Sequence, residues 1–293
     1  MKNLLVPLIF KTLGLLPLSG ARAVGWLLGT LAWLARGRNY RMTEKNLRGS
    51  FPALSDAEIK SLTRRSLIET CHTACEAGAI WRNSWQWLNA RIVEVEGEDI
   101  LRAELAKGKG LLVLAPHLGN WEVVAPYLAS IAPLTAMYQP FPIPALDKLI
   151  LEGRTKNNIS MAPTNRKGVS MLLKALQSGT IVGVLPDQVP ERGAGGEAIE
   201  FFGRPAMTMS LVSSLINRTE CRSVAVFAKR VPGGFKVITL AADSKIYSDD
   251  PLESLRGMNL SVEACVRLAP AQYQWEYNRF RWVPEPSPKS HEQ

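Results

Sequence analysis

The order of apolar and polar positions divides the chain into a long uncharged start, a folded middle and a polar end. Residues 3–35 carry only two charges, Lys11 and Arg22. The runs 12–21 and 23–35 each fall short of the roughly 18 uncharged residues of a membrane span. Pro7, Pro17 and Gly20 would interrupt a single helix there. Residues 55–90 read as helical, opened by Ser55-Asp56-Ala57-Glu58 as a cap. From about residue 97, short apolar runs alternate with amphipathic ones. The pattern predicts helices over 99–107, 121–130, 144–156, 165–177, 207–217 and 251–268. It predicts strands over 110–115, 134–138, 180–185, 223–230 and 235–240. The last two strands are joined by Pro232-Gly233-Gly234, which predicts a hairpin. Together these elements predict an α/β fold with a mixed central sheet flanked by helices. The folded domain is expected over 36–283, behind an N-terminal helical membrane-anchoring segment at 1–35. A disordered tail is expected at 284–293.

Charge sharpens the reading of the N-terminus. Arg36, Arg38, Arg41, Lys45 and Arg48 follow the apolar start, and an apolar segment flanked by arginines suits an anchor in a cytoplasmic leaflet with anionic headgroups. A pair of buried core helices is the alternative. A cleaved signal peptide fits poorly, because the small-residue cleavage pattern is missing and the arginines would hinder export. The formal net charge is +9, which suits anionic partners: a membrane surface, an acidic carrier protein or phosphorylated substrates. Nucleic acid is discounted, since no helix-turn-helix, zinc-finger or RNA-binding signature appears. Trp81, Trp85 and Trp87 suit either a membrane boundary or a core. Gly25 and Gly29 read as ordinary close packing of helices. The four cysteines, Cys71, Cys75, Cys221 and Cys265, form no disulfide framework. Cys71 and Cys75, one helical turn apart beside His72, lack the further ligands that a metal site needs.

The chemistry concentrates at His117-Leu118-Gly119-Asn120-Trp121-Glu122, between the apolar run 110–116 and the helix from 121. Only two other histidines exist, His72 and His291. A histidine held by a carboxylate removes protons from hydroxyls. Residues five apart on one helix point about 140° apart, so His117 must lie before the helix. Asn120 is a natural N-cap, which places Glu122 in the first turn, where the dipole favours a carboxylate. Gly119 lets the chain bend back. The carboxylate would then accept from one ring nitrogen and leave the other free as base. On spacing alone, a purely structural capping histidine is the competing reading.

Elsewhere the chemistry is less pointed. Both His117 and Asp187 fall just past predicted strand ends, where active residues of such sheets gather. The loop 184–193 offers Asp187, Gln188 and Arg192 for phosphate or substrate, or is simply solvated. Gly193, Gly195 and Gly196 lack the spacing and lysine of a phosphate loop and read as a mobile segment. Arg154 reads as a helix-terminal surface arginine. No Gly-x-Ser-x-Gly elbow appears, and no metal cluster. What remains is a base without a protein nucleophile, so the substrate's own hydroxyl would attack.

The chain resembles the bacterial lipid A biosynthesis acyltransferases, the lauroyl/myristoyl transferases within the glycerolipid acyltransferase superfamily. The ordered segments that carry the resemblance begin with Asn46-Leu47, Phe51-Pro52 and the His117–Glu122 stretch. They continue with Tyr138-Gln139-Pro140, Leu146-Asp147, Arg154 and Pro186-Asp187-Gln188, and end with 201–206 and 275–280. The resemblance implies transfer of a fatty acyl chain from acyl carrier protein to a hydroxyacyl chain of a lipid A precursor. The place implied is the cytoplasmic face of an inner membrane. It implies His117 and Glu122 as catalytic residues, with Arg154, Asp187, Gln188, Asn120 and Tyr138 binding substrate. No metal or redox cofactor is implied beyond the carrier-bound thioester donor. The chain departs from many relatives at Gln139, where a basic residue is common, and at Tyr277, where histidine is. A phospholipid or ornithine-lipid acyltransferase using coenzyme A thioesters, a thioesterase, and a non-catalytic lipid- or carrier-binding protein are the alternatives.

Overall fold

A computed structural model describes residues 2–156, 158–191 and 195–281. Arg192, Gly193 and the tail 284–293 lie outside the described residues. The chain forms eleven helices and nine strands among them. The helices are α1 (Lys2–Leu13), α2 (Leu18–Ala35), α3 (Arg38–Ser50), α4 (Asp56–Arg82), α5 (Trp85–Asn89) and α6 (Glu98–Leu105). Then come α7 (Trp121–Ala129), α8 (Pro144–Arg154), α9 (Arg166–Gln177), α10 (Leu211–Thr219) and α11 (Pro251–Leu268). The strands are β1 (Ile92–Glu96), β2 (Leu111–Leu114), β3 (Leu134–Tyr138), β4 (Ile159–Pro163), β5 (Ile181–Val184), β6 (Gly196–Phe201), β7 (Arg204–Met209), β8 (Arg222–Val231) and β9 (Gly234–Ala241).

Seven strands make one sheet in the order β1-β9-β8-β2-β5-β3-β4, with β2 at its centre. Only the β8–β9 pair is antiparallel. Its two-residue link, Pro232-Gly233, has Gly233 at φ +79, the conformation that favours glycine at such a turn. The strands send alternate side chains to opposite faces. Leu112, Leu114, Val182 and Val184 enter a core closed by α9, α10 and α11. Leu111, Val113 and Ile181 enter a second core closed by α5, α6 and α7. A sheet buried on both faces explains why its central strands read as unbroken apolar runs.

Several expected elements come out differently. Residues 55–90 are two helices, because Ser84 caps a new start at α5. The capping box of Ser55 and Glu58 opens α4 as the sequence predicts. Strands β1, β4, β6 and β7 are not visible in the apolar pattern, since β1 has one half-buried position and four exposed ones. The helix expected over 207–217 starts later, at Leu211. Residues 204–209 instead pair with β6 around a Phe202-Gly203 turn, burying Ala206 and Thr208 on one side. Of the three tryptophans, Trp81 is buried, and Trp85 and Trp87 pack, partly exposed, on the second core.

The segment expected as an N-terminal anchor forms two helices, α1 and α2. No helix of the described residues is long and apolar enough to cross a membrane. Instead α2 has two faces. Gly25 and Gly29 let it close on α4, where a Cβ at Gly29 would lie 2.4 Å from Ile68 Cα. The opposite side leaves Trp26, Leu27, Leu31 and Leu34 about half exposed, and α1 adds Leu5 and Leu8.

Candidate active site

The parallel pairing of β2 with β5 builds the site. Leu114 and Val184 are register partners, so the residues three positions beyond each strand end stand side by side. These are His117 and Asp187. The Asp187 Oδ1 lies 2.8 Å from His117 Nδ1, and Oδ2 accepts the His117 backbone N–H at 2.8 Å. One buried carboxylate thus holds both the ring and the backbone of the histidine. Burial pushes the Asp187 carboxyl up, and the adjacent imidazole and its hydrogen bonds more than reverse this, leaving it below the usual range. With Nδ1–H donating to Asp187, Nε2 is the nitrogen that accepts. The Gln188 amide nitrogen lies 3.2 Å from Nε2 and donates to Gln274 Oε1 at 3.1 Å. The Trp121 ring meets the imidazole edge-on at 5.0 Å.

The loop that carries His117 is pinned to β8. Gly119 has φ +62, and a Cβ there would sit 2.0 Å from the Ala228 carbonyl oxygen. Its N–H donates to Gln272, and the Asn120 N–H donates to Ala228. Asn120 then caps α7, its Oδ1 accepting from the Glu122 N–H at 3.2 Å, as the sequence predicts.

Glu122 takes a different partner from the one expected. Its carboxylate accepts from Arg154 Nε at 2.9 Å, from Arg154 Nη2 at a shorter distance, and from Trp81 Nε1 at 2.7 Å. Asp187 therefore fills the place beside His117 that spacing alone gives to Glu122. The reason is geometric. The first turn of α7 aims Glu122 at α4 and α8, whereas His117 stays in the loop below the end of β5. Burial raises the Glu122 carboxyl, and Arg154 more than offsets it, so the group is held below the usual range. Arg154, which reads from sequence as a surface residue, is the two-pronged partner of a buried acid.

Other expected binding residues are committed elsewhere. Asn120 is fully buried and gives its amide nitrogen to Glu76 at 2.8 Å, so it supports the loop and does not face a substrate. Tyr138 donates its hydroxyl to Asp147, and its ring lies 5.8 Å from the Arg154 guanidinium. Burial and the Asp147 carboxylate push that phenol up to about 12. Gln139 donates to Glu191 at 2.6 Å, tying the segment after β3 to the loop after β5.

Sequence reasoning missed Gln274 and Tyr277 as parts of this site. The Gln274 N–H donates to the His117 carbonyl. The Tyr277 hydroxyl accepts the Val189 N–H at 3.0 Å, which fixes the loop next to Gln188. Asn46 in turn holds the 275–277 segment through the carbonyls of Trp275 and Tyr277. The ordered segments of the resemblance thus meet in space, although nothing local in sequence pairs them.

The family model for bacterial lipid A biosynthesis acyltransferase matches residues 3–282. A lipid A biosynthesis lauroyltransferase of Escherichia coli (strain K12) is 28% identical over 270 residues, covering 90% of this chain and 86% of the relative. A palmitoleoyltransferase of the same strain is 24% identical, covering 89% and 85%. A lipid A biosynthesis acyltransferase of Haemophilus influenzae is 25% identical over 236 residues, covering 79% and 72%. With the family model matched over nearly its whole length, the chain belongs to the bacterial lipid A biosynthesis acyltransferases.

Proposed function

We propose that this enzyme transfers a fatty acyl chain of the lauroyl/myristoyl class from the thioester of acyl carrier protein to a lipid A precursor. The acceptor is the hydroxyl of a 3-hydroxyacyl chain, and the product is an acyloxyacyl ester. The observation that carries the reading is the His117 ring fixed through Nδ1 by a buried carboxylate, which leaves Nε2 to act as base. Nε2 takes the proton of the hydroxyl, and the freed oxygen attacks the thioester carbonyl. The tetrahedral intermediate collapses, the C–S bond breaks, and the departing thiolate takes the proton back from Nε2. The Gln188 amide stands beside Nε2 and must yield to the hydroxyl; moved aside, its N–H is a donor for the developing oxyanion. Arg154, anchored by Glu122, supplies fixed positive charge for the oxyanion or an acceptor phosphate.

The membrane reading rests on a different part of the chain. The half-exposed leucines of α1 and α2 form an apolar face without a long enough helix to span. Arg36, Arg38 and Arg41 are exposed next to it. Such a face with a basic rim suits an enzyme lying on the cytoplasmic leaflet of the inner membrane. There it meets both a lipid acceptor and a soluble carrier. The test is mass spectrometry of lipid A from cells that carry the gene, lack it, or carry His117→Ala. Loss of one acyl chain in the last two is expected. Complete acylation with the alanine variant would refute the assignment.

A further inference from the structure

Glu76, in the middle of α4, is a fully buried carboxylate that the scheme above does not use. Arg22 of α2 donates Nε to its Oε1 at 2.6 Å. Arg230 of β8 reaches both oxygens, with Nε 3.0 Å from each and Nη2 2.8 Å from Oε2. Burial raises this carboxyl, and the two guanidiniums more than reverse that, so it is held ionised. With Glu69, which pairs with Arg230 Nη1, the two arginines meet two carboxylates. The third donor is uncharged: Asn120 Nδ2, at 2.8 Å. The same Asn120 side chain caps Glu122 through Oδ1. A second link runs in parallel. Arg230 Nη2 donates to Thr73 Oγ1, and Thr73 donates to the Gly119 carbonyl at 3.0 Å. The buried charge cluster therefore grips the 117–122 loop at two consecutive residues, Gly119 and Asn120.

We propose that Glu76 is a positioning residue for acyl transfer: through Asn120 it sets the loop that presents the His117 base and starts the helix of Glu122. This rests on His117 being the base. Asn120 has two jobs, the cap and the tether, and one substitution separates them. Serine caps a helix as well as asparagine does, but its hydroxyl is too short to reach Glu76. In Asn120→Ser, kcat is expected to fall by about tenfold to a hundredfold, since a misplacement near 1 Å can cost about 10²-fold. KM for the acyl carrier thioester is expected to stay within about twofold, because the tether does not touch substrate. Backbone amide exchange in the 119–123 segment is expected to quicken, while the far-ultraviolet spectrum stays unchanged. Asn120→Asp also keeps the cap but sets a carboxylate against Glu76 in place of the amide donor, and is expected to lower kcat at least as far, with KM again within about twofold. Unchanged kcat together with unchanged exchange in Asn120→Ser, or an Asn120→Asp protein with the kcat of wild type, overturns the proposal. Exchange reads the loop without any transfer assay. A wild-type protein that fails to transfer acyl chains therefore sinks the functional reading separately from this one.

Discussion

Replacing Asp187 with asparagine keeps the shape of the side chain and removes the acceptor that selects the histidine tautomer. Asp187 now receives two hydrogen bonds from His117, one from Nδ1 and one from the backbone N–H, both at 2.8 Å. An asparagine has one oxygen to serve both. If the backbone N–H keeps it, the amide NH2 faces Nδ1, and the ring must turn its lone pair there. The proton then sits on Nε2, where a base needs a lone pair. General base catalysis contributes about 10²- to 10⁴-fold, so kcat is expected to drop by that range. The loss equals about 2.7–5.4 kcal/mol of transition-state stabilisation. Fold stability is expected to fall less, on the order of 1–3 kcal/mol for one hydrogen bond to a charged group. The assay is single-turnover transfer from radiolabelled acyl carrier protein thioester to purified lipid A precursor, with urea unfolding measured on the same preparation. Turnover within threefold of wild type in a folded Asp187→Asn protein, a margin of about 0.6 kcal/mol, would falsify the pairing of His117 with Asp187 as the working unit.

Three further outcomes follow from the same contacts. Glu122→Gln takes the charge partner from the partly exposed Arg154 guanidinium, and losing hydrogen bonds to a charged group costs about 1–3 kcal/mol; the urea midpoint should drop, and an unchanged midpoint contradicts the assigned pair. The carboxyls of Asp187, Glu122 and Glu76 are all lowered in the folded chain. The stability they contribute is therefore present above the unfolded carboxylate value of about 4 and lost as pH falls through and below it. Chemical unfolding midpoints should hold between about pH 7 and 5 and decline below about 4, whereas a flat profile to pH 3 speaks against ionised buried acids. Leu27→Ser with Leu31→Ser should weaken flotation with anionic vesicles on the order of tenfold, since each half-exposed leucine contributes on the order of 1 kcal/mol when inserted; equal flotation removes α2 from the membrane contact.

The sequence was most legible where one strand or helix decides the matter alone. The apolar runs at 110–115 and 180–185, the cap at Asn120 and the Pro232-Gly233 turn all carry local signals, and each is present in the fold. The partner of His117 was not legible. Asp187 stands 70 positions away, and the two meet only because β5 enters the sheet beside β2. Glu122 is nearer in sequence, but helix geometry turns it toward Trp81 and Arg154. Arg154 was hidden for the opposite reason: a helix-terminal arginine looks solvated until its buried acid is known. Strand β7 escaped because Arg204, Pro205, Ala206 and Thr208 mix charged and small residues, which blurs the two-residue period; β1 is short, and its Val-Glu alternation leaves Val93 and Val95 exposed. Arg22 looked like a blemish in an apolar segment, yet it points inward to Glu76 and to the carbonyls of Val231 and Gly234.

The position of β5 between β2 and β3 has a bearing on when the enzyme acquires its chemistry. By the time the ribosome has delivered β2, β3 and β4, the histidine exists but its acid does not. The acid arrives only as a later strand slides into the gap between two earlier ones. A half-made chain therefore holds an imidazole with no fixed tautomer. The pairing of His117 with Asp187 is thus a late consequence of completing the middle of the sheet.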